Sequence, residues 1–561
     1  MENKFIARTL RFLSQLMELH DENAFKVKSL SGTAYKVDKL PFSIATKSLK
    51  EIEEINGIGK STGSKIWELI TTNTIKELES LLEQTPPGVV EMLRIKGIGP
   101  KKVSIIWKEL CIENVGELLY ACNENRLIEA KGFGLKTQEE IRKSIEFKIA
   151  SSGLFLYAQA EELAEAVFDR VKKVFADAAV SFTGAYRRRC EIIESVDILI
   201  GNSLLPKTQD ELLNIFDLKL IDATPSNLKF ESEAGLKFNL YFCKPQEFGS
   251  ELALTTGNEA HVIGLKTRLN DQLNSVAIEK DLYEKAGLPF IEPELREGLK
   301  EFEWAEKNEL PQLVSWEDLK GTLHNHSTWS DGVHTLEEMA VFCRDGLKLE
   351  YLGICDHSKS AFYANGLNEL RVIAQHKEID QLNAKLDGFK IFKGIESDIL
   401  YDGSLDYPQE ILSTFDFVVA SVHSILKMNE EKATSRLITA IENPFTTILG
   451  HATGRMLLTR SGYPIDYKKV IDACAANNVV IEINSNPLRL DMDWRWHWYA
   501  IEKGVLLSIN PDAHRKEGFY DTHYGVLAAR KGGVSAKNCL NALNQEEITT
   551  YFNRKRSLNK V

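Results

Sequence analysis

Apolar positions at helical spacing open the chain. MENKFIARTLRFLSQLMELH reads as one amphipathic helix with acidic residues along it. Three later segments, LKEIEEINGIGKSTGSKIWELI, LRIKGIGPKKVSIIWKEL and LIEAKGFGLKTQEEIRKSI, share one pattern. In each, a short apolar helix meets an apolar-Gly-apolar-Gly turn, and a second amphipathic helix follows at once. Further on, ESVDILIGN is an apolar strand with one carboxylate, Asp197, at its mouth.

Beyond the acidic connector EPELREGLKEFEWAEKNELP, apolar runs alternate with amphipathic helices such as TLEEMAVFCRDGLKL and DYKKVIDACAANN. That alternation predicts parallel strands with helical crossovers. The runs end in a repeating way. GTLHNHSTWSDG gives His324, His326 and Asp331; YLGICDHS ends in His357, KIFKGIESDI in Glu396 and FDFVVASVHS in His423. FTTILGHATGR gives His451, and GVLLSINPDAH gives Asp512 and His514. With VVIEINSN these make seven strands. Ligand-type residues at the carboxyl ends of parallel strands predict a barrel with its site at that end.

Composition changes this picture little. A chain of 561 residues exceeds one hydrophobic core and predicts several domains. No apolar run is long enough to cross a bilayer. Eight scattered cysteines without a CxxC pair fit a reducing cytoplasm and argue against a zinc ribbon. Net charge is −12, unlike a typical nucleic-acid binder, although a local basic site can sit in an acidic chain. Histidine is more telling: of twelve, only His20 and His261 precede residue 320. The crowding of the rest points to a metal site in the last part of the chain, and His324 and His326, two apart on a strand, face the same way.

In the three hairpins, the pairs Gly57/Gly59, Gly97/Gly99 and Gly132/Gly134 allow backbone angles and close approach that a side chain would forbid. The helix that follows offers free N–H groups at its positive end, a seat for a phosphate oxygen. Lys60, Lys101 and Lys102 add charge beside it. The segments resemble the helix-hairpin-helix (HhH) motif, which grips DNA backbone without reading sequence.

In order, ENAFKVKSL, the three hairpins, TGAYRRRCEIIESVDILIG and FGSELALTTGNEAH resemble a family X DNA polymerase over residues 1–300. The resemblance implies an N-terminal helical lyase-like domain with one HhH motif (1–88) and fingers with two more (89–150). An α+β nucleotidyltransferase palm (151–245), a thumb (246–300) and a linker (301–317) follow. It also departs from that family. The family's Gly-Ser is Gly184-Ala185, its D-x-D is Ser195-Val196-Asp197, and its third aspartate is Asn239. Glu194 faces away by strand parity, and Glu191 lies six residues upstream, out of reach. Two Mg²⁺ ions about 4 Å apart repel by roughly 17 kcal/mol at an effective dielectric near 20, so one carboxylate cannot hold them. The palm is expected to fold without polymerising. Arg187 and Arg188 are kept, either as phosphate contacts or as ordinary palm residues. Lys65 stands at the family's Schiff-base lysine, with a phosphate-facing lysine as the other reading.

Residues 318–561 resemble the polymerase-and-histidinol-phosphatase (PHP) domain, a (β/α)7 barrel fused to bacterial family X polymerases. The resemblance implies three metal ions. Asp512 joins His324 and His326 on one, and Glu396 bridges to a second completed by His423 and His451. Asp331, His357 and His514 hold the third. Mixed imidazole and carboxylate ligation favours Mn²⁺, Zn²⁺ or Fe²⁺. Arg455 is expected to act as a catalytic phosphate clamp, or else to sit in a salt bridge. DMDWRWHWYAIEKG either stacks on bases or packs against the barrel. Together these features predict a cytoplasmic 3′→5′ exonuclease or 3′-end phosphoesterase of DNA repair, acting on gapped or 3′-recessed DNA without sequence specificity. Rival readings are a retained gap-filling polymerase, a small-molecule phosphatase and a non-catalytic DNA scaffold.

Overall fold

The computed structural model describes residues 1–95, 97–150, 153–202, 218–270 and 275–558. The chain forms two compact units, Met1–Glu146 and Phe147–Val561.

The first unit is helical. Helix Asn3–Leu19 buries Ile6, Leu10, Leu13 and Met17, the apolar stripe read from sequence, and packs on Ala24–Lys39. All three hairpins form. Gly57, Gly97 and Gly132 hold φ of 85°, 95° and 88°, a left-handed conformation that glycine adopts without strain. The second helices then start at Lys60, Pro100 and Leu135.

The second unit opens with a short antiparallel pair, β1 (Phe155–Leu156) with β3 (Ile192–Ile193). A five-stranded sheet contains β2 (Val180–Thr183), β4 (Ser195–Ile200), β5 (Lys219–Thr224), β6 (Asn227–Glu231) and β7 (Lys237–Phe242), in the order β2-β4-β7-β6-β5. Val196, Ile198, Phe230 and Phe238 share its core with helix Tyr157–Val174. A helical cluster around Leu265, Leu282 and Leu295 follows. The acidic segment expected as a linker is instead part of that cluster. Glu301 is buried, bonds His261 at 2.9 Å and accepts the N–H groups of Gly298 and Leu299. Its oxygens are satisfied by local hydrogen-bond donors, a role that composition does not reveal.

Seven parallel strands complete the chain: β8 (Gly321–Thr322), β9 (Tyr351–Ile354), β10 (Lys390–Asp398), β11 (Phe417–Ser421), β12 (Ile448–Leu449), β13 (Val480–Asn484) and β14 (Leu507–Asn510). Each pairs with its sequence neighbour, and a parallel bridge between Asn325 and Ala513 draws β8 toward β14. The result is a nearly closed (β/α)7 barrel. Helices start on sequence-encoded caps: Asn368, Asn429 and Asp466 each accept a backbone N–H in the first turn. Phe552 from the last helix stacks on Phe417 within the cluster that fills the barrel interior.

Ionic contacts join the five-stranded sheet, the helical cluster and the barrel. Glu279 accepts both terminal nitrogens of Arg187, at 2.7 and 2.6 Å, and one of Arg296 at 2.5 Å. Glu297 takes Arg188 at 2.8 Å and the buried ammonium of Lys531, which also donates to the Arg188 carbonyl at 3.0 Å. Glu191 receives Trp494 at 2.9 Å and Arg495 at 3.1 Å.

Removing one member of a buried ionic group strands the others. Glu279→Ala is expected to lower the unfolding free energy of the larger unit by about 3–5 kcal/mol in denaturant titration. Burial pushes the Glu279 carboxyl up, but Arg187 and Arg296 outweigh it and hold it below the usual range. Its stabilisation is therefore complete at neutral pH and fades as pH falls through that lowered value. Glu279→Gln should show a shallower acid loss of stability than wild type; equal slopes would contradict the ionic account.

Candidate metal centre

Strand alternation aims the ligand-type residues inward. His324 and His326 leave the end of β8, Glu396 lies on β10, and His423, His451 and Asp512 follow β11, β12 and β14. All nine converge. The Nε2 atom of His326 lies 3.1 Å from Asp512, and that of His324 lies 3.3 Å from Glu396 and 3.6 Å from Asp512. His423, His451 and His357 also approach Glu396, at 3.1, 3.0 and 2.9 Å. Asp331 sits 3.6 Å from His357 and 3.3 Å from His514. Three overlapping groups have metal-holding geometry: His326, Asp331, His357 and His514; His324, His326 and Asp512; and His357, Glu396 and His423. His451 falls outside these groups, although its Nε2 touches Glu396. The grouping also shares His326 and His357 between positions, where the sequence reading gave each to one ion.

Carboxylates on the far side of the rings fix the tautomers, because an ionised carboxylate only accepts. Glu482 lies 2.7 Å from His324 Nδ1 and also takes Asn510 and the His451 N–H. Asp398 lies 2.5 Å from His423 Nδ1 and takes Ser360 Oγ. The lone pairs of His324 and His423 are thereby turned toward Glu396, acceptor facing acceptor. Such a contact needs a positive charge between its members. Burial pushes His423 down, yet Glu396 and Asp398 outweigh it and raise it to about 10. His324 is likewise raised well above its ordinary value by Glu482, Glu396 and Asp512, against burial. Among the described residues, His324 Nε2, His326 Nδ1, both His357 nitrogens and Glu396 Oε2 are buried without a hydrogen bond. The donor set fits divalent cations.

Asp356 supports the loop that carries Asp331. It accepts Ser327 N and Oγ at 2.8 and 2.7 Å, Ser330 Oγ at 2.5 Å and Gln375 at 2.6 Å. Sequence reasoning missed Glu482, Asp398 and Asp356. The signal was present as a lone Glu in VVIEINSN, an Asp two residues past Glu396, and an Asp just before His357.

Arg455 is corrected. Its guanidinium binds Asp493 at 2.7 Å, the Arg489 carbonyl at 2.9 Å and the Leu490 carbonyl, so its donors are spent on holding the 489–493 loop. The tryptophan-rich stretch packs: Trp494 bonds Glu191, Trp496 stacks on Tyr467 and Lys300 lies over Trp498.

In the five-stranded sheet, Asp197 stands opposite Asn239 in register. Its Oδ1 accepts Asn239 Nδ2 at 2.6 Å and Ser195 Oγ at 2.9 Å, and its other oxygen fills the space where a Cβ on Gly184 would go. Burial pushes the Asp197 carboxyl up, against those two hydrogen bonds and the charge of Arg188. Glu194 is exposed. Ala185 packs against the sheet core. Arg187 and Arg188 are tied to Glu279 and Glu297, so the phosphate-contact reading of both gives way to ion pairs.

In the hairpins, Gly59, Gly99 and Gly134 have no left-handed φ, and a Cβ on any of them would meet nothing within 4 Å. Their own fold does not require glycine, which suits a face that receives a ligand from outside. Lys60 and Lys101 are exposed there, and Lys102 lies over Phe133. Lys65 turns instead to Glu77, with which it forms an ion pair. No described helix is long and apolar enough to cross a membrane, and all eight cysteines are free.

The helix-hairpin-helix domain family matches residues 1–75, and the SAM-like helix-hairpin-helix tandem family matches residues 89–146. A probable phosphatase of Acetivibrio thermocellus is 32% identical over 36% of this chain and 84% of its own length. A probable phosphatase of Caldanaerobacter subterraneus is 37% identical over 23% of this chain and 53% of its own. The DNA polymerase/3′-5′ exonuclease PolX of Bacillus subtilis is 33% identical over 99% of this chain and 100% of its own. End-to-end similarity of that kind, with hairpins in front and a histidine-rich barrel behind, makes this chain a member of the bacterial PolX family, the family X polymerases that carry a PHP domain.

Proposed function

We propose that the barrel is a trinuclear phosphodiesterase that removes nucleotides from DNA 3′ ends during repair, and that the palm no longer polymerises. The observation that carries this reading is the contrast between two sites. Nine ligand-type side chains crowd the barrel, whereas Asp197 has an amide and a hydroxyl for company.

In this reading His324, His326 and Asp512 would hold one ion, Glu396, His423 and His451 a second, and Asp331, His357 and His514 the third. Manganese, zinc and iron suit such donors better than magnesium. When bound, the ions supply a nucleophilic water near neutral pH and neutralise charge on the phosphate. The chain's own part is placement. Glu482 and Asp398 orient two imidazoles, Asp356 fixes the loop of Asp331, and burial keeps bulk water out. The glycine turns with Lys60, Lys101 and Lys102 hold gapped or 3′-recessed DNA by its backbone. The free thiols suit a reducing cytoplasm. Similarity to probable phosphatases favours a second reading, hydrolysis of a small phosphomonoester, which the three hairpins leave without a role.

With Mn²⁺ and end-labelled gapped DNA, wild-type protein should shorten the 3′ end, and His326→Ala should lose at least 100-fold in rate. Shortening that survives the substitution would place the chemistry elsewhere. A phosphomonoester hydrolysed faster than a 3′-recessed duplex would favour the second reading. Gap filling with all four dNTPs and Mn²⁺ should yield no extension; any extension that Asp197→Ala abolishes would restore the polymerase. Chelation should lower the melting temperature of the purified protein, and Mn²⁺ should restore it, because ions that bind only the folded barrel stabilise it. A melting curve indifferent to both would count against the ions.

A further inference from the structure

Phe362 is 73% exposed, a large ring in water five residues after His357. Scattered exposed apolar residues are ordinary on protein surfaces. The segment that carries this one is not. Its ends close on each other at the ligand itself, where Leu367 N donates to the His357 carbonyl at 2.8 Å. Ala361 N donates to Ser358 O, and Gly366 N to Ala361 O. A Cβ on Gly366 would lie 1.9 Å from the Ser358 carbonyl, so the turn is as tight as the backbone permits. Ser360 bonds Asp406 through its N–H and Asp398, the carboxylate that orients His423, through its hydroxyl. Arg371 clamps the carbonyls of Asn365 and Gly366 and reaches Trp329 O beside the loop of Asp331. A loop fixed at so many points has no freedom to fold Phe362 away from solvent.

Tyr363 connects the ring to the centre, 6.1 Å from Phe362 and 6.4 Å from His357, centroid to centroid. The six imidazoles and three carboxylates are nearly all buried while Phe362 is exposed, so a nucleoside whose phosphate reaches them extends toward solvent. An exposed aromatic beside the centre matches the one surface every nucleotide offers, the face of its base. Inorganic phosphate or an aliphatic phosphomonoester such as phosphoserine offers no such face.

We propose that Phe362 is the stacking platform for the base of the 3′-terminal nucleotide, and hence a determinant of nucleic-acid over small-phosphoester specificity. The inference rests on the reading of the barrel as a DNA 3′-end nuclease. Stacking on an aromatic is worth about 1–3 kcal/mol per base, which corresponds to roughly 5- to 150-fold in affinity.

Two single-stranded oligonucleotides separate the alternatives: one with a normal 3′-terminal nucleotide and one ending in an abasic analogue. Wild type should show a KM for the abasic end at least about fivefold above that for the normal end. Phe362→Ala should raise KM for the normal end to the abasic level, leave the abasic KM and both kcat values unchanged, and keep full metal content. Phe362→Trp should behave as wild type. Equal KM values for both ends in wild type, or a Phe362→Ala loss shared by both, would overturn the platform while leaving the nuclease intact. Release of nucleotide from neither end by wild-type protein would bring down the nuclease reading itself, and the platform with it.

Discussion

Acceptor facing acceptor is the constraint on which the barrel depends. As neutral rings, His324 and His423 each give their one hydrogen to an outer carboxylate and turn a lone pair toward Glu396, a contact that a proton or a bound cation has to bridge. Without positive charge between them the arrangement repels itself, and burial deepens the repulsion because water cannot screen it. The outer residues are therefore as necessary as the inner ones. Glu482 touches His324, Asn510 and the backbone of His451, so one carboxylate sets the positions of groups after three strands.

The five-stranded sheet shows the opposite outcome of the same electrostatics. Here amide and hydroxyl donors satisfy Asp197, and the neighbouring arginines pair with glutamates. The sheet itself is packed around Val196, Phe230 and Phe238.

Much of this was legible in the sequence because its signals are local. Six apolar runs ending in His, Asp or Glu are read directly, since strand ends and ligand types coincide along the chain. The hairpins were legible for the same reason, as was Ser195, which strand parity pairs with Asp197, whereas Asn239 was reached only through the family resemblance. What sequence did not reveal depends on partners far along the chain. Arg455 meets Asp493, Arg187 meets Glu279 and Lys65 meets Glu77, and nothing near an arginine or lysine says which acid will take it. Glu301 looked like part of a solvated connector because its partners, His261 and two backbone amides, become neighbours only after folding.

Lys531 carries the broadest consequence. Its ammonium, almost wholly hidden from solvent, ends on a glutamate of the helical cluster and a carbonyl of the five-stranded sheet, while its backbone belongs to the barrel's last crossover helix. An excised barrel would expose that seam, with Trp494 stripped of its acceptor and Arg530 of Glu294. The five-stranded sheet and the helical cluster thus cannot simply be cut from the chain: their removal would have to be accompanied by resurfacing of the barrel.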